Sequence, residues 1–386
     1  MSLSTSVAAL LDAYMSEVFQ ATHAPGMQVV VVDKDSVCYA RAFGDAVSTN
    51  QVTGIGSLTK SMTALAIQQL GVDRQAPVTQ YLANLHVPDW VTIDRLLTHT
   101  SGIATQATLD NIIVNAPGVF EYANLNYHLL GLVIQAVSGE AYDYYMRKYV
   151  FEPLGMQDTT ADLGRVTDLL TGHTVFFGKP VPWRMERFFP NRVNNEARWG
   201  NLSAGFVLSS GRDMGIYLQH YLNDGVPKVP DGGYQDGWFR AGDRLFHAGS
   251  LEGYSSFMML LPKLGVGVVV LTNMQDYVGN TMSGLQIEAG IVDILAGRQS
   301  PPVDRGLYWR RHGLLSVLYL IIMALPLVRC RHKTIWNVVL PTALLSLPRV
   351  MKARWATVWG FAPNLLVSLV VSATLLYARW FTAETR

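Results

Sequence analysis

The stretch TGIGSLTK, residues 53–60, places a serine directly after two closely spaced glycines and a lysine three residues after that serine. The apolar pattern from 57 to 70, which ends before Gly71, predicts an amphipathic helix that begins at Ser57. Backbone N–H groups in the first turn of a helix have no partner within it, so the N–H of Ser57 is free to bind a substrate oxygen. Lys60 follows one turn later on the same face. The stretch therefore predicts a nucleophilic serine with an amine within reach.

Catalysis by Ser57 requires more than this spacing. A serine hydroxyl reacts when a base removes its proton and when donors stabilise the oxyanion. Lys60 is such a base only if burial or a nearby cation keeps its amine neutral. The alternative interpretation is a serine that caps the helix and a lysine in solvent. Ser57 is the one serine in the sequence with lysine at this offset, which favours the catalytic interpretation.

A second motif, YAN at 122–124, precedes a helical pattern at 126–138. A phenol close to an ammonium group can be held as phenolate, which makes Tyr122 a candidate base. The amide of Asn124 offers both a donor and an acceptor to a substrate amide. The triplet YLN at 221–223 has the same spacing, but it ends an amphipathic pattern and runs into Asp-Gly. We predict a structural role for that second triplet.

A third motif, HAGS at 247–250, comes before a strand-like run that starts near Gly253. Glycine in a strand beside an active site allows a substrate backbone to approach closely. The N–H of Ser250 is then a second candidate oxyanion donor. The similar triplet KLG at 263–265 lies in the turn of a predicted hairpin, so we do not assign it to the site.

In this order, the three motifs resemble those of the serine β-lactamase and penicillin-binding-protein superfamily. Within it, residues 5–297 are similar to the class C β-lactamase-like group of esterases, D-amino-acid peptidases and D,D-peptidases, the S12 peptidase type. The further stretches that carry this resemblance are LLTHTSG at 96–102, FEPLGM at 151–156, FGKPVP at 177–182 and VVLTN at 269–273.

The resemblance implies an α/β (α+β) fold with an antiparallel sheet made from both chain ends, flanked by helices, and a helical subdomain that carries the tyrosine motif. It implies that Ser57 forms an acyl-enzyme, that Lys60 and Tyr122 share proton transfer, and that no metal or organic cofactor is needed. The implied catalytic residues are Ser57, Lys60 and Tyr122, and the implied substrate-binding or oxyanion residues are Asn124, His247, Gly249 and Ser250.

The sequence departs from that pattern at His247, where many β-lactamases and penicillin-binding proteins have lysine. Histidine is not reliably charged at pH 7. This argues against recognition of a β-lactam or D-alanine carboxylate and leaves esters and small amides as substrates.

The chain divides into a predicted hydrolase domain at 1–300 and a predicted membrane domain at 301–386. The first contains two predicted β-hairpins, with strands at 26–32 and 37–43 and at 253–261 and 266–272. The second contains about three predicted transmembrane helices, because nearly uncharged runs occur at 314–328, 335–347 and 356–378.

We therefore expect a multi-pass protein of the cell membrane. The resemblance implies an extracytoplasmic hydrolase domain, although the first 30 residues show no secretory signal peptide. A hydrolase domain followed by three spans also resembles the peptidases that remove acyl-D-asparagine prodrug groups from nonribosomal peptide products.

The amino-acid composition limits the kinds of partner that the protein is expected to bind. Thirty basic and 29 acidic residues nearly balance, so nucleic acid is not an expected partner. The two cysteines, Cys38 and Cys330, are too few for a thiolate metal site and too far apart to suggest a disulfide. The expected partners are a small-molecule or peptide acyl substrate and the lipid bilayer.

Other aromatic and histidine residues have weaker assignments. His99 ends a predicted helix, where a histidine often caps carbonyl groups, so we predict a structural role for it. Five aromatic residues are candidates to line an acyl pocket or to belong to the core or to a lid: Trp183, Phe188, Phe189, Trp199 and Trp238.

Two functions fit these patterns. The first is a membrane-anchored serine hydrolase that cleaves an amide or ester through an acyl-enzyme, as a D-amino-acid peptidase, carboxypeptidase or esterase. The second is a slowly reacting acylation sensor that signals through its transmembrane helices. The filled motif positions favour the first.

Overall fold

The structure is a computed structural model that describes residues 5–166, 168–183, 202–276, 278–328, 335–350 and 355–384. Its helices are α1 (Thr5–Thr22), α2 (Thr59–Gln69), α3 (Ile93–Leu97), α4 (Asn124–Ser138), α5 (Tyr142–Tyr145), α6 (Glu152–Leu154), α7 (Leu202–Gly205), α8 (Gly211–Asp224), α9 (Thr281–Gly284), α10 (Ile287–Leu295), α11 (Leu307–Ala324), α12 (Leu340–Val350), α13 (Trp355–Phe361) and α14 (Pro363–Glu384). Its strands are β1 (Gly26–Asp33), β2 (Val37–Gly44), β3 (Thr53–Gly54), β4 (His173–Phe176), β5 (Lys179–Pro182), β6 (Leu208–Ser209), β7 (Tyr234–Gln235), β8 (Trp238–Ala241), β9 (Arg244–Leu251), β10 (Tyr254–Leu261), β11 (Val266–Thr272) and β12 (Met274–Gln275).

The main sheet has seven strands in the order β2-β1-β11-β10-β9-β8-β7, and every neighbouring pair is antiparallel. β1 lies beside β11, so the sheet joins the two ends of the hydrolase part as expected. Both predicted hairpins are confirmed, as β1–β2 and β10–β11. Two small sheets, β12-β4-β5 and β3-β6, lie outside the main sheet.

Helices cover both faces of the main sheet, which explains why the sequence of β1 is continuously apolar. All eight of its residues are buried. Val30 and Val32 belong to the large core that includes α2, α4 and α8, whereas Val29 and Val31 belong to the core beneath α1 and α10. A strand that is buried on both faces has no polar side, so the run of four valines at 29–32 replaces the usual alternation.

The helix predicted from Ser57 begins slightly later than expected. Ser57 lies in a 3₁₀ turn, Gly56–Leu58, and α2 starts at Thr59. The Thr59 hydroxyl donates to the carbonyl oxygen of Gly56 at 2.7 Å, which closes this turn onto the helix. The serine is therefore presented on a tight turn at the helix start rather than within a regular helical turn.

The C-terminal part is helical. Within the described residues, one helix is long and apolar enough to cross a membrane by length and composition, Leu307–Leu327. Ile335–Leu347 is a shorter apolar helix. The third predicted span is divided at Ala362, because Pro363 begins a new helix and disfavours helical backbone in the residue before it. Several membrane spans, and the boundary near residue 300, stay predictions. Cys330 and its basic neighbours lie outside the described residues.

Candidate active site

Ser57 and Lys60 meet at the start of α2. Ser57 is half-buried, whereas Lys60 is fully buried. The Lys60 Nζ atom lies 3.1 Å from Ser57 Oγ. Two further oxygen atoms surround the amine, Asn124 Oδ1 at 2.9 Å and the backbone oxygen of Ala204 at 2.5 Å. Lys60 is therefore not the solvated lysine of the alternative interpretation.

Burial lowers the pKa of Lys60 from 10.5 to about 7. Both the amide oxygen of Asn124 and the carbonyl of Ala204 can only accept hydrogen bonds. When the amine is neutral, it can direct its two N–H bonds to these oxygens and keep its lone pair for Ser57 Oγ. The sequence required an amine that loses its proton near neutral pH and lies within reach of the serine hydroxyl, and Lys60 has both properties.

Tyr122 lies in the loop before α4, where its phenol interacts with the side chain of Ser57. Its ring centroid is 4.9 Å from Lys60 Nζ. Burial raises the pKa of the phenol more than the interaction with Ser57 lowers it. The phenol is therefore protonated at neutral pH, unlike the phenolate suggested by the sequence, because desolvation disfavours the charged form.

The backbone before α4 explains why Tyr122 and Asn124 face the same site. Ala123, the residue before the helix, has extended backbone angles, with φ −128° and ψ 123°. Side chains two residues apart on an extended chain point to the same side. Asn124 then begins α4 with its amide oxygen toward Lys60.

The third motif lies in β9, a strand that was not predicted from the sequence. β9 pairs with β10 along its length, from Leu245 to Leu251. On its other side, β8 pairs with β9 only as far as Phe246. Residues 247–251 therefore form a free strand edge that lies against the turn carrying Ser57.

Two glycines allow this close approach. Gly56 has a φ of +51°, and a Cβ atom there would lie 2.7 Å from the backbone nitrogen of Ser250. A Cβ atom on Gly249 would overlap the carbonyl oxygen of Ile55. Larger residues at either position would separate β9 from the start of α2, so these glycines set the distance between the two elements.

The register of β9 determines where the N–H of Ser250 points. The two-residue turn 252–253 makes Leu251 and Tyr254 the first pair of the ladder, in the hydrogen-bonded position. Pairs alternate along an antiparallel ladder, so Ser250, opposite Ser255, directs its N–H away from β10. That N–H points to the free edge beside Ser57, as expected for a second oxyanion donor.

His247 is buried on the same strand. Burial is the main cause that lowers its pKa to about 3, and the charge of Lys60 adds to this effect. Its Nδ1 lies 2.6 Å from the carbonyl oxygen of Ala248, so Nδ1 carries the hydrogen. Nε2 has no hydrogen-bond partner in the part of the chain that the structure describes. The site thus contains a neutral acceptor at the position where many relatives of the superfamily have a lysine.

His99 has a larger role than the capping role predicted for it. Its ring lies 4.4 Å from that of Tyr122. Its Nδ1 lies 2.8 Å from Asn126 Nδ2 and accepts from the backbone N–H of Ala123 at 3.4 Å, and its carbonyl accepts from the N–H of Glu121 at 2.8 Å. His99 therefore positions the loop that carries Tyr122. The stretch LLTHTSG was the available signal, although spacing alone gave no partner for the histidine.

The remaining predictions have mixed outcomes. Tyr221 and Asn223 lie on α8, and Lys263 lies in the β10–β11 turn, away from the residues around Ser57. Trp238 is fully buried in the core and Trp183 is nearly so. Phe188, Phe189 and Trp199 lie outside the described residues. Among the described ranges, no three His, Cys, Asp or Glu side chains lie together in a way that could hold a metal ion.

Comparison with known proteins identifies the family and the fold of this chain. The Beta-lactamase family model matches residues 7–282. Protein flp of Staphylococcus aureus strain MW2 is 26% identical over 337 residues, an alignment that covers 72% of this chain and 66% of that protein. The chain thus spans slightly less than two thirds of the length of flp.

Solved structures show the same fold. The octameric penicillin-binding protein homologue from Pyrococcus abyssi aligns with a TM-score of 0.61 and 24% identity, over 78% of this chain and 80% of that chain. A class C β-lactamase aligns with a TM-score of 0.62 and 16% identity, over 78% of this chain and all of that chain (100%). Because the family model covers most of the chain and contains every site residue described above, this protein belongs to the Beta-lactamase family.

Proposed function

We propose that this protein is a serine hydrolase that cleaves an amide or an ester through an acyl-enzyme, as a D-amino-acid peptidase, carboxypeptidase or esterase does. The observation that carries the proposal is the fully buried Lys60 amine, 3.1 Å from Ser57 Oγ and with a pKa lowered to about 7. Membership of a family of serine hydrolases supports the reaction class.

In the proposed acylation step, Ser57 Oγ bonds to the acyl carbon while its proton passes to neutral Lys60. The N–H groups of Ser57 and Ser250 bind the negative charge that develops on the acyl oxygen. The leaving amine or alkoxide takes the phenol proton of Tyr122 as its bond to the acyl carbon breaks. The ammonium of Lys60 then returns a proton to Tyr122, so the net result is the transfer of one proton from Ser57 to the leaving group.

Deacylation uses the same groups in reverse. A water molecule gives a proton to the neutral amine of Lys60 and attacks the acyl carbon, and the Ser57 oxygen regains a proton as it leaves. The products are the free acid and the original enzyme. No group outside the chain is required for the proton balance.

Among these activities, the site favours a peptidase or esterase whose substrates lack a carboxylate next to the cleaved bond over a carboxypeptidase, whose substrates carry one. A neutral His247, with its pKa lowered to about 3 by burial, offers no positive charge to bind one. We expect the preference for an acyl donor with a free carboxylate to be about 10- to 100-fold weaker than it would be with a lysine at this position. This factor is equivalent to one charge-assisted hydrogen bond of about 1.5–3 kcal/mol.

Labelling with a fluorophosphonate tests the proposal directly. We expect covalent labelling of the wild type and of Ser61→Ala, and none of Ser57→Ala. Ser61 is a matched control because it is a buried serine of the same helix whose hydroxyl donates to Leu58 O instead of facing Lys60. Equal labelling of Ser57→Ala and wild type would refute the proposal.

Reaction with a carboxylic ester donor separates the enzyme from the sensor and tests selectivity, because a phosphonyl group stays on the serine in either case. Recovery of free Ser57 with release of an acid product supports a hydrolase, whereas a permanent acyl-enzyme would favour the acylation sensor. Matched ester donors, with and without a free carboxylate, should react in favour of the neutral ester in the wild type. The preference should decrease in His247→Lys.

We also propose that the C-terminal helices anchor the hydrolase part to the cell membrane, with several spans and an extracytoplasmic active site. Leu307–Leu327, with the length and composition of a span, supports the anchor. Reporter fusions at each terminus test the orientation, and a cytoplasmic hydrolase part would exclude cell-wall substrates.

A further inference from the structure

The β4–β5 hairpin packs against the first C-terminal helix. β4 pairs with β12, and β5 is the outer strand of that small sheet. At the hairpin turn, the Tyr308 hydroxyl donates to the carbonyl oxygen of Gly178 at 3.1 Å. The ring of Phe177 lies 6.2 Å from that of Tyr319. The two contacting tyrosines are eleven positions apart on α11, a rise of about 16 Å, so the hairpin flanks roughly half of a membrane-spanning length.

The last helix holds the same hairpin from another side. Asn364, in the first turn of α14, accepts from the backbone N–H of Phe177 at 3.3 Å and donates to the carbonyl oxygen of Val175 at 3.1 Å. The Asn364 side chain is buried in this contact. The hairpin is therefore held by α11 and α14 together, through hydrogen bonds to its backbone.

The other face of α11 is apolar and exposed at the same level. Tyr308 and Tyr319, which touch the hairpin, are buried, whereas Leu314, Leu318 and Ile321 are 73%, 49% and 56% exposed. Their spacing of four and three residues places these three side chains on one helix face. Because α11 has the composition of a membrane span, lipid is the occupant that this face fits. The hairpin thus lies at the same height along α11 as this exposed apolar face.

The outer strand of the hairpin has a backbone suited to an apolar surrounding. Phe177 and Gly178 both have positive φ, 46° and 75°, as in a two-residue hairpin turn, so Phe176 and Lys179 form the first hydrogen-bonded pair. The alternating ladder then points the N–H groups of positions 180 and 182 outward. Both positions are proline, which has no N–H. The outer edge of β5 therefore presents no unpaired N–H donor, so of the backbone groups that are costly to expose to lipid only the carbonyl oxygens of Pro180 and Pro182 face outward, where interfacial water can donate to them.

We propose that this hairpin is a second membrane contact, with its tip and outer strand in the interfacial region of the bilayer that surrounds α11. Phe176 and Val181 are 38% and 40% exposed at the tip and outer strand, and between them the exposed Lys179 supplies an amine for lipid phosphate. At the hairpin base, the N–H of His173 donates to the carbonyl oxygen of Gly253, beside the end of β9. The contact therefore sets how far the active site lies from the membrane surface.

Site-directed fluorescence in the full chain tests this contact. In a Cys38→Ser, Cys330→Ser background, single cysteines replace Phe176, Leu264 and Leu318. Each variant is labelled with a small fluorophore and reconstituted in vesicles of phosphatidylcholine and phosphatidylglycerol. Nitroxide-labelled phosphatidylcholine reports contact with lipid, and iodide reports contact with water. Leu264 is the matched control, because it lies in another hairpin turn and is 42% exposed, close to the 38% of Phe176.

We expect the nitroxide lipid to quench the Phe176→Cys label as it quenches the Leu318→Cys label. Quenching of the Phe176→Cys label by iodide should be weaker than that of the Leu264→Cys label by a factor of about three or more. Identical behaviour of the labels at 176 and 264 would overturn the proposal. It would also fall if the Leu318→Cys label did not contact lipid. An unchanged thermal midpoint relative to the cysteine-free parent ensures that each label reports position and not unfolding. The result does not depend on acylation of Ser57.

Discussion

Two triplets with the same spacing, YAN at 122–124 and YLN at 221–223, have different surroundings in the folded chain. Asn124 accepts a hydrogen bond from Lys60 Nζ at 2.9 Å, whereas Asn223 donates to backbone oxygen atoms at 2.7 and 3.0 Å. Only the first triplet lies beside Ser57. The difference arises from the local backbone and not from the residue types.

The conformation of the middle residue decides whether the two side chains can act together. Ala123 is extended, so Tyr122 and Asn124 point to one side. Tyr221 and Asn223 both lie within α8, where residues two apart do not face each other. A tyrosine and an asparagine at this spacing can therefore address one substrate from a loop but not from a helix.

Removing the two phenols is the strongest test of this comparison. We expect Tyr122→Phe to lower kcat/KM by about 10²- to 10⁴-fold, the usual contribution of a positioned proton donor. Tyr221→Phe should change it only a few-fold, because that hydroxyl lies 3.1 Å from another phenol, that of Tyr217. Steady-state kinetics on the ester or amide that acylates Ser57 measures both. Similar losses in the two variants would show that the comparison is wrong.

The buried amine distinguishes the first triplet further and predicts a pH dependence. Lys60 is active as a base only when neutral, and its pKa is lowered to about 7. The acylation rate should therefore rise about tenfold per pH unit below pH 7 and level off above it. Tyr221→Phe should keep this profile, whereas Lys60→Met should be slow and show no step there. A wild-type profile with no step between pH 6 and 8, the range within about one pH unit of that pKa, would contradict the assignment.

The two asparagines should differ by a smaller amount. Asn124→Ala removes one of the oxygen atoms that orient Lys60, and we expect a loss in kcat of about tenfold, the equivalent of one hydrogen bond of about 1–1.5 kcal/mol. Asn223→Ala should leave kcat unchanged and lower the free energy of unfolding by about 1 kcal/mol or less. Kinetics together with urea unfolding separates the effects. An equal loss of kcat in both variants would argue for a general structural effect.

Features that depend on local interactions were predicted from the sequence, whereas features that depend on long-range contacts were not. The hairpins β1–β2 and β10–β11 were predicted because a short turn between two apolar runs is a local pattern. β9 was missed because its buried face carries a histidine and a glycine, His247 and Gly249, between two leucines, so a short window shows no clear apolar alternation. Its pairing with β10 depends on the turn 252–253, which contains a single glycine and no strong turn dipeptide.

The same distinction between local and long-range interactions applies to the active site. The sequence predicted Ser57 and Lys60 as partners, since one helical turn separates them. The contact between His99 and Tyr122 joins residues 23 positions apart through loops of no regular period, so spacing could not predict it. In the C-terminal part, local apolarity predicted helices, but the hairpin that they hold is distant in the sequence.

The sequence alone determined which groups are available: a serine on a glycine-rich turn, an amine one turn away, a tyrosine and an asparagine two residues apart, and apolar runs near the C-terminus. The tertiary structure decided their chemical state. The Lys60 amine has a pKa near 7 because distant elements exclude water from it, including Ala204, which is 144 residues away. Desolvation depends on everything that surrounds a group, so the state of Lys60, of Tyr122 and of His247 required the complete fold.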